Sequence, residues 1–125
     1  VSYSNRRIRV TIDGDERELV SNNVIVANCR NWAGGMKILP MAEPDDGELD
    51  VLVWGDISKT DLVLTLPKLY RGTHIHHPKA TIRRAREITV VPEQPLPIEL
   101  DGELPGMTPV TFTIRPHALR LRVPE

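Results

Sequence analysis

The chain is short of cysteine, of excess charge and of long hydrophobic runs, and each shortage narrows what it can be. Its single cysteine, Cys29, leaves no partner for an internal disulfide, and no asparagine opens an N-x-Ser/Thr acceptor. Nothing therefore points to an oxidising compartment, and a cytoplasmic setting is expected. Sixteen basic side chains face 17 acidic ones, for a net charge of -1, so no global field draws the chain to nucleic acid. The longest apolar run is a few residues, far below the roughly 20 that span a bilayer. The start, Val1-Ser2-Tyr3-Ser4, has neither the basic nor the apolar part of a signal peptide. Because Val1 stands where a methionine would begin a full chain, we expect a segment of a longer protein.

What is present is a string of short strands. In residues 6 to 13, Ile8, Val10 and Ile12 alternate with Arg7, Arg9 and Thr11, the period of a half-buried strand. Asp13-Gly14 then predicts a hairpin that returns through Glu18-Leu19-Val20. Val24-Ile25-Val26-Ala27 is apolar throughout, which predicts a central strand covered on both faces. Another strand is expected over Leu49 to Trp54. Ser58 as N-cap, Leu62, Leu66 and Leu69 at helical spacing, and Gly72 beyond them predict one short helix, which Pro67 should kink or shorten. Strands follow at Ala80 to Arg84, Glu87 to Val91, Pro97 to Leu100, Val110 to Arg115 and Leu119 to Val123. Eleven prolines suit many short strands. The expected fold is mainly β, one β-sandwich domain over residues 1–125 with a single helix.

Taken locally, the polar clusters favour plain readings. Glu43, Asp45, Asp46, Glu48 and Asp50 offer hard oxygen ligands for Mg²⁺ or Ca²⁺, but an EF-hand would need a ligating Glu where this sequence enters an apolar strand. A solvated turn explains the stretch equally simply. His74, His76 and His77 suggest zinc, yet no further Cys or His lies nearby to complete four ligands, so exposed loop histidines are expected. Gly34-Gly35-Met36-Lys37 matches neither phosphate-binding glycine pattern. Arg7 and Arg9, Arg83 and Arg84, and Arg120 and Arg122 read as wet strand faces, with a patch for anionic lipid as the alternative. Asp101-Gly102-Glu103, after Pro97-Ile98-Glu99-Leu100, reads alone as a hairpin corner.

In order, however, several of these pieces form one pattern. They are Val26-Ala27-Asn28, Ala33-Gly34-Gly35-Met36-Lys37-Ile38-Leu39-Pro40, Asp45-Asp46-Gly47-Glu48-Leu49-Asp50-Val51, Gly72-Thr73-His74, Asp101-Gly102-Glu103 and Pro116-His117-Ala118-Leu119-Arg120. The pattern resembles the C-terminal β-rich lobe of the diacylglycerol kinase, sphingosine kinase and bacterial lipid kinase family. The resemblance implies a two-lobe kinase whose other lobe binds ATP through a Gly-Gly-Asp-Gly loop, a sequence absent from this chain. It further implies Glu103 as the base that activates a lipid hydroxyl. It places a structural Mg²⁺ on the Asp46 side chain and the backbone carbonyls of Glu43 and Glu48. Two residues depart from the pattern: Ala33 stands where relatives often have glycine, and Glu48 where they have an apolar residue. The implied partners are a lipid substrate and a membrane surface touched peripherally, with no nucleic acid, and a homodimer could form through exposed sheet edges. The competing reading is a non-catalytic β-sandwich module that binds membrane or a protein.

Overall fold

The computed structural model describes residues 5–29, 37, 39–43, 46–100 and 103–116, with residues 99, 100 and 103–105 described by their backbone alone. Strands β1 (Arg6–Ile12) and β2 (Asp15–Ser21) form the expected hairpin, closing with Ile12 opposite Asp15. Asp13 and Gly14 between them have φ of 48° and 85°, the paired left-handed conformation that a two-residue hairpin loop uses to match strand twist. Asp13 also ties this turn to the neighbouring strand corner. Its Oδ1 accepts hydrogen bonds from the backbone N–H groups of Arg86 and Glu87, both at 2.9 Å.

The second sheet contains β3 (Asn23–Ala27), β4 (Leu49–Trp54) and β5 (Ala80–Ala85) in the order β3-β4-β5. Among the described residues the apolar run Val24–Ala27 thus lies at the edge of this sheet, and β4 holds the centre that the sequence assigns to it. Both faces of β3 are nevertheless in contact with core. Val24 and Val26 pack toward the other sheet, whereas Ile25 and Ala27 pack toward the helix. A continuous apolar run reports covered faces, and says nothing of position across the sheet.

The first sheet is completed by β6 (Glu87–Pro92) and β9 (Val110–Thr113), in the order β2-β1-β6-β9. The two sheets enclose Ile8, Val10, Ile12, Val51, Val53, Ala85, Ile88 and Val90, all buried, which makes the sandwich. A third layer covers the far face of the second sheet. There Leu39, Ala42, Leu52, Trp54 and Ile57 are buried beneath helix α1 (Lys59–Arg71).

Helix α1 begins and ends as its sequence requires. The Ser58 hydroxyl accepts from the Asp61 N–H at 3.1 Å, satisfying one of the first-turn donors. Gly72 closes the helix with φ 73°, and a side chain there would meet Pro40 Cγ at 3.4 Å and Lys37 Cβ at 3.5 Å. Pro67 does not shorten the helix, which runs on to Arg71. Pro67 and Val63, four residues before it, both lie on the exposed side, where water can serve the carbonyl that the proline leaves without a donor.

Between β6 and β9 the chain makes an arm of two strands, β7 (Pro97–Leu100) and β8 (Glu103–Met107), which among the described residues pair with each other alone. At its base the Thr108 N–H donates to the Leu96 carbonyl at 2.8 Å, and the Leu96 N–H donates to Thr108 Oγ1 at 2.7 Å. Strand β8 was not expected, because Pro105 and Gly106 read as turn residues. In a two-stranded arm each strand has an open edge, which tolerates a residue without an N–H. The expected strand at Leu119 to Val123 lies outside the described residues, and β9 stops at Thr113 rather than Arg115.

Candidate functional site

Two places carry the residues that the sequence singles out: the acidic loop entering β4, and the end of the arm. In the loop, Gly47 has φ 74°, and the Glu48 N–H donates to Asp46 Oδ1 at 3.0 Å. This side-chain turn fixes Asp46 against the backbone two residues on. The other oxygen, Asp46 Oδ2, is buried and accepts no hydrogen bond among the described residues. Glu43 is exposed just after the buried Ala42, Glu48 is half-buried, and Asp45 lies outside the described residues.

Asp50, two residues beyond Glu48 on β4, is completely buried, and neither carboxylate oxygen has a hydrogen bond. Among the described residues Asp50 meets one cation, Arg84 on the adjacent strand, its Nε 3.6 Å from Asp50 Oδ1. Removal from water pushes the Asp50 carboxyl up from its ordinary value, Arg84 opposes this, and the negative charges of Asp46 and Glu48 push it further up. Among the described residues, the three carboxylates Asp46, Glu48 and Asp50 stand against the one guanidinium of Arg84.

A bound cation would relieve that imbalance, so the residues fit a hard metal ion of the Mg²⁺ type. The fit is of one kind only. Among the described residues no three His, Cys, Asp or Glu side chains converge to hold a metal, so the donors would be the Asp46 carboxylate with backbone oxygens and water. Asp50 is the residue that sequence reading undervalued. Its signal was its phase, because it alternates with Leu52 and Trp54 on a strand whose other face, Val51 and Val53, is apolar as well. Neither face of such a strand is wet.

At the arm, Leu100 and Glu103 face each other as the last pair before the connection, whose residues Asp101 and Gly102 lie outside the described residues. Glu103 is the first residue of β8. The pairing is irregular between Ile98 and Leu100, a feature that bends a strand. The acidic loop and Glu103 thus belong to different elements, one on the second sheet and one on the arm.

The remaining candidates resolve into structure. His74, expected in an exposed loop, is fully buried in a single 3₁₀ turn, with its ring centroid 6.2 Å from that of Trp54. His77 packs edge-on against the same indole at 5.6 Å and accepts the Lys79 N–H on Nδ1 at 3.0 Å. The Trp54 indole thus packs against two of the three imidazoles. Arg9 reaches Glu16 at 3.1 Å and Glu18 at 3.0 Å, and Arg83 reaches Asp15 at 2.8 Å. The Arg83 hydrogen bond holds the Asp15 carboxyl below its ordinary value. These arginines are engaged within the sandwich, while Arg120 and Arg122 lie outside the described residues. Cys29 is exposed and unbonded.

Comparison with known proteins places this arrangement. The chain is 29% identical over 120 residues to a diacylglycerol kinase of Mycobacterium tuberculosis, covering 94% of this chain and 38% of that protein. A diacylglycerol kinase of Staphylococcus carnosus is 26% identical over 109 residues, covering 87% of this chain and 36% of the relative. The chain thus spans well under half the length of these relatives. A solved diacylglycerol kinase structure from Bacillus anthracis strain Sterne superposes with a TM-score of 0.64 at 18% identity, over 94% of this chain and 46% of that one. That likeness carries the fold: a mainly β, sandwich-like lobe with one helix. Residues 1–123 match the family described as the YegS C-terminal NAD kinase beta sandwich-like domain, and the chain belongs to that family of lipid-kinase lobes.

Proposed function

We propose that this chain is the β-rich lobe of a two-lobe, ATP-dependent lipid kinase that phosphorylates the hydroxyl of a diacylglycerol-like lipid. The relatives of this lobe are diacylglycerol kinases. The observation that carries the reading is the coexistence, in the family's order, of the Asp46 loop with its buried unsatisfied oxygen and the β7–β8 arm that ends on Glu103. In this reading the Glu103 carboxylate takes the proton of the lipid hydroxyl as that oxygen attacks the γ-phosphorus of ATP, and ADP departs with the displaced oxygen. The nucleotide is held by the other lobe, outside these residues, so this chain alone is inactive. Phosphoryl transfer depends chiefly on alignment and charge neutralisation, and an arm that can be set against a second lobe suits the alignment role.

Asp46, with the carbonyls of Glu43 and Glu48, would hold Mg²⁺. When bound, the ion supplies positive charge that fixes the loop. Asp46 takes up its position through the Glu48 N–H, and burial keeps water from competing for Oδ2. Mg²⁺ should accordingly raise the melting temperature of the chain, and Asp46→Asn should remove most of that rise. An equal rise in the variant would place the ion elsewhere. The surroundings of the reaction are a membrane surface reached from the cytoplasmic side.

The function is tested by transfer of labelled γ-phosphate from ATP to diacylglycerol in vesicles by the intact two-lobe protein, with the 125-residue chain alone as control. Transfer by the intact protein only is expected. Absence of transfer to any lipid hydroxyl, or micromolar ATP binding by the isolated chain in calorimetry, would overturn the reading.

A further inference from the structure

We propose that the outward face of α1 is a membrane-contact surface that seats this lobe on an anionic bilayer. The choice of a bilayer over a protein partner rests on the lipid-kinase reading, and the surface itself rests on geometry. A helix covering a core ordinarily turns its widest apolar stripe inward. Helix α1 does the reverse. Only Thr65 is buried, and Leu62 and Leu69 are half-buried against the Leu52–Trp54 layer. Val63, Leu64, Leu66 and Tyr70 are 63%, 64%, 52% and 56% exposed. At about 100° per residue, these four and Pro67 sweep an outward arc of roughly 160°.

Charge completes the pattern. Lys59, Lys68 and Arg71 are exposed on the same helix, whose one acidic residue, Asp61, sits in the first turn. None of the three cations forms an ion pair among the described residues, in contrast to Arg9, Arg83 and Arg84 on the sandwich. Lys37 adds a further cation, its Cβ beside Gly72 at the C-terminal end of α1. Aliphatic side chains with a tyrosine, bordered by long basic side chains that can lie along the apolar surface and reach phosphates, suit a helix lying in the plane of the interface. Among the described residues no helix is long and apolar enough to cross a membrane, so the contact is one of lying on the surface.

The test is flotation of the 125-residue chain with vesicles of phosphatidylcholine and phosphatidylglycerol in equal parts, without diacylglycerol or ATP, against vesicles of phosphatidylcholine alone. Binding to the anionic vesicles that weakens with salt is expected. The double variant Val63→Ser, Leu64→Ser should lower partitioning by about tenfold or more. Lys68→Gln and Arg71→Gln should each lower it by about fivefold, the equivalent of roughly 1 kcal/mol per basic residue. Val91→Ser, on an exposed position of β6, should leave it unchanged, and thermal melts establish that each variant is folded. Unaltered binding by the folded helix variants, or no binding by the wild-type chain, overturns the proposal. So does a concentration-dependent dimer that the double variant abolishes, which would assign the face to a second copy. Vesicle binding by the chain, with no lipid phosphorylation by the intact two-lobe protein, would remove the kinase reading and leave the surface standing, and phosphorylation by the intact protein without vesicle binding by the chain would remove the surface alone.

Discussion

The two faces of the β3-β4-β5 sheet are drawn from the same strands and carry different burdens. Toward the first sheet, Val51, Val53 and Ala85 meet Ile8, Val10, Ile12, Ile88 and Val90, all apolar, and the hydroxyl of the buried Ser21 at the margin donates to the Trp54 carbonyl at 2.6 Å. Toward the helix, Leu52 and Trp54 share their layer with buried Asp50, His74 and Thr65. A dry face of this kind contributes stability in proportion to the area it removes from water. The other face places a carboxylate where it cannot be hydrated, which costs stability unless something positive is added. The difference teaches where to look for function: the polar burden lies beside the Asp46 loop, on the side that α1 covers.

The comparison can be broken most forcefully from the dry side. Ile88 is fully buried, and Ile88→Ala should cost about 2–5 kcal/mol in urea unfolding while leaving any Mg²⁺-induced rise in melting temperature in place. Loss of the Mg²⁺ response with little loss of stability would mean that the two faces do not divide the work as described.

From the polar side, Asp50→Asn sharpens the contrast. Because the folded pKa of Asp50 is raised, the folded state holds this proton more tightly than the unfolded chain does. The associated stability is present below the ordinary carboxylate range and is lost as pH rises through the folded value. Without Mg²⁺, the asparagine variant should therefore melt higher than wild type at neutral pH, by about 2–6 °C, and the advantage should vanish in acid. Thermal melts across pH that run parallel for the two proteins would contradict this account of Asp50.

The smallest effect is expected at the rim of the sandwich. Arg83 holds the Asp15 carboxyl low, so its contribution is present above the ordinary carboxylate range and fades as pH falls through the depressed value. Both partners are substantially exposed, and Arg83→Gln should shift the melting temperature at neutral pH barely beyond measurement error. A shift as large as that of Ile88→Ala would show that the pair is more than surface trim.

Much of the fold was legible because local chemistry and tertiary structure agree. The Asp13-Gly14 turn, the Ser58 cap and the Gly72 stop each serve a backbone need that does not depend on distant residues. The order of strands across a sheet does depend on them, which is why Val24–Ala27 reads as central and, among the described residues, lies at an edge. Likewise β8 was hidden because Pro105 and Gly106 forbid only an internal strand. The candidate site residues come from the order of the family's motifs rather than from spacing. What spacing concealed was burial: Asp50 and His74 are polar residues that tertiary packing removes from water.

The central claim is that Glu103 deprotonates the lipid hydroxyl, and the most direct measurement is steady-state diacylglycerol phosphorylation by the intact two-lobe protein carrying Glu103→Gln. Loss of a general base should lower kcat by about 10²–10⁴-fold, with ATP affinity measured in parallel essentially unchanged. Turnover within a few-fold of wild type would remove Glu103 from the mechanism and leave the arm a structural element.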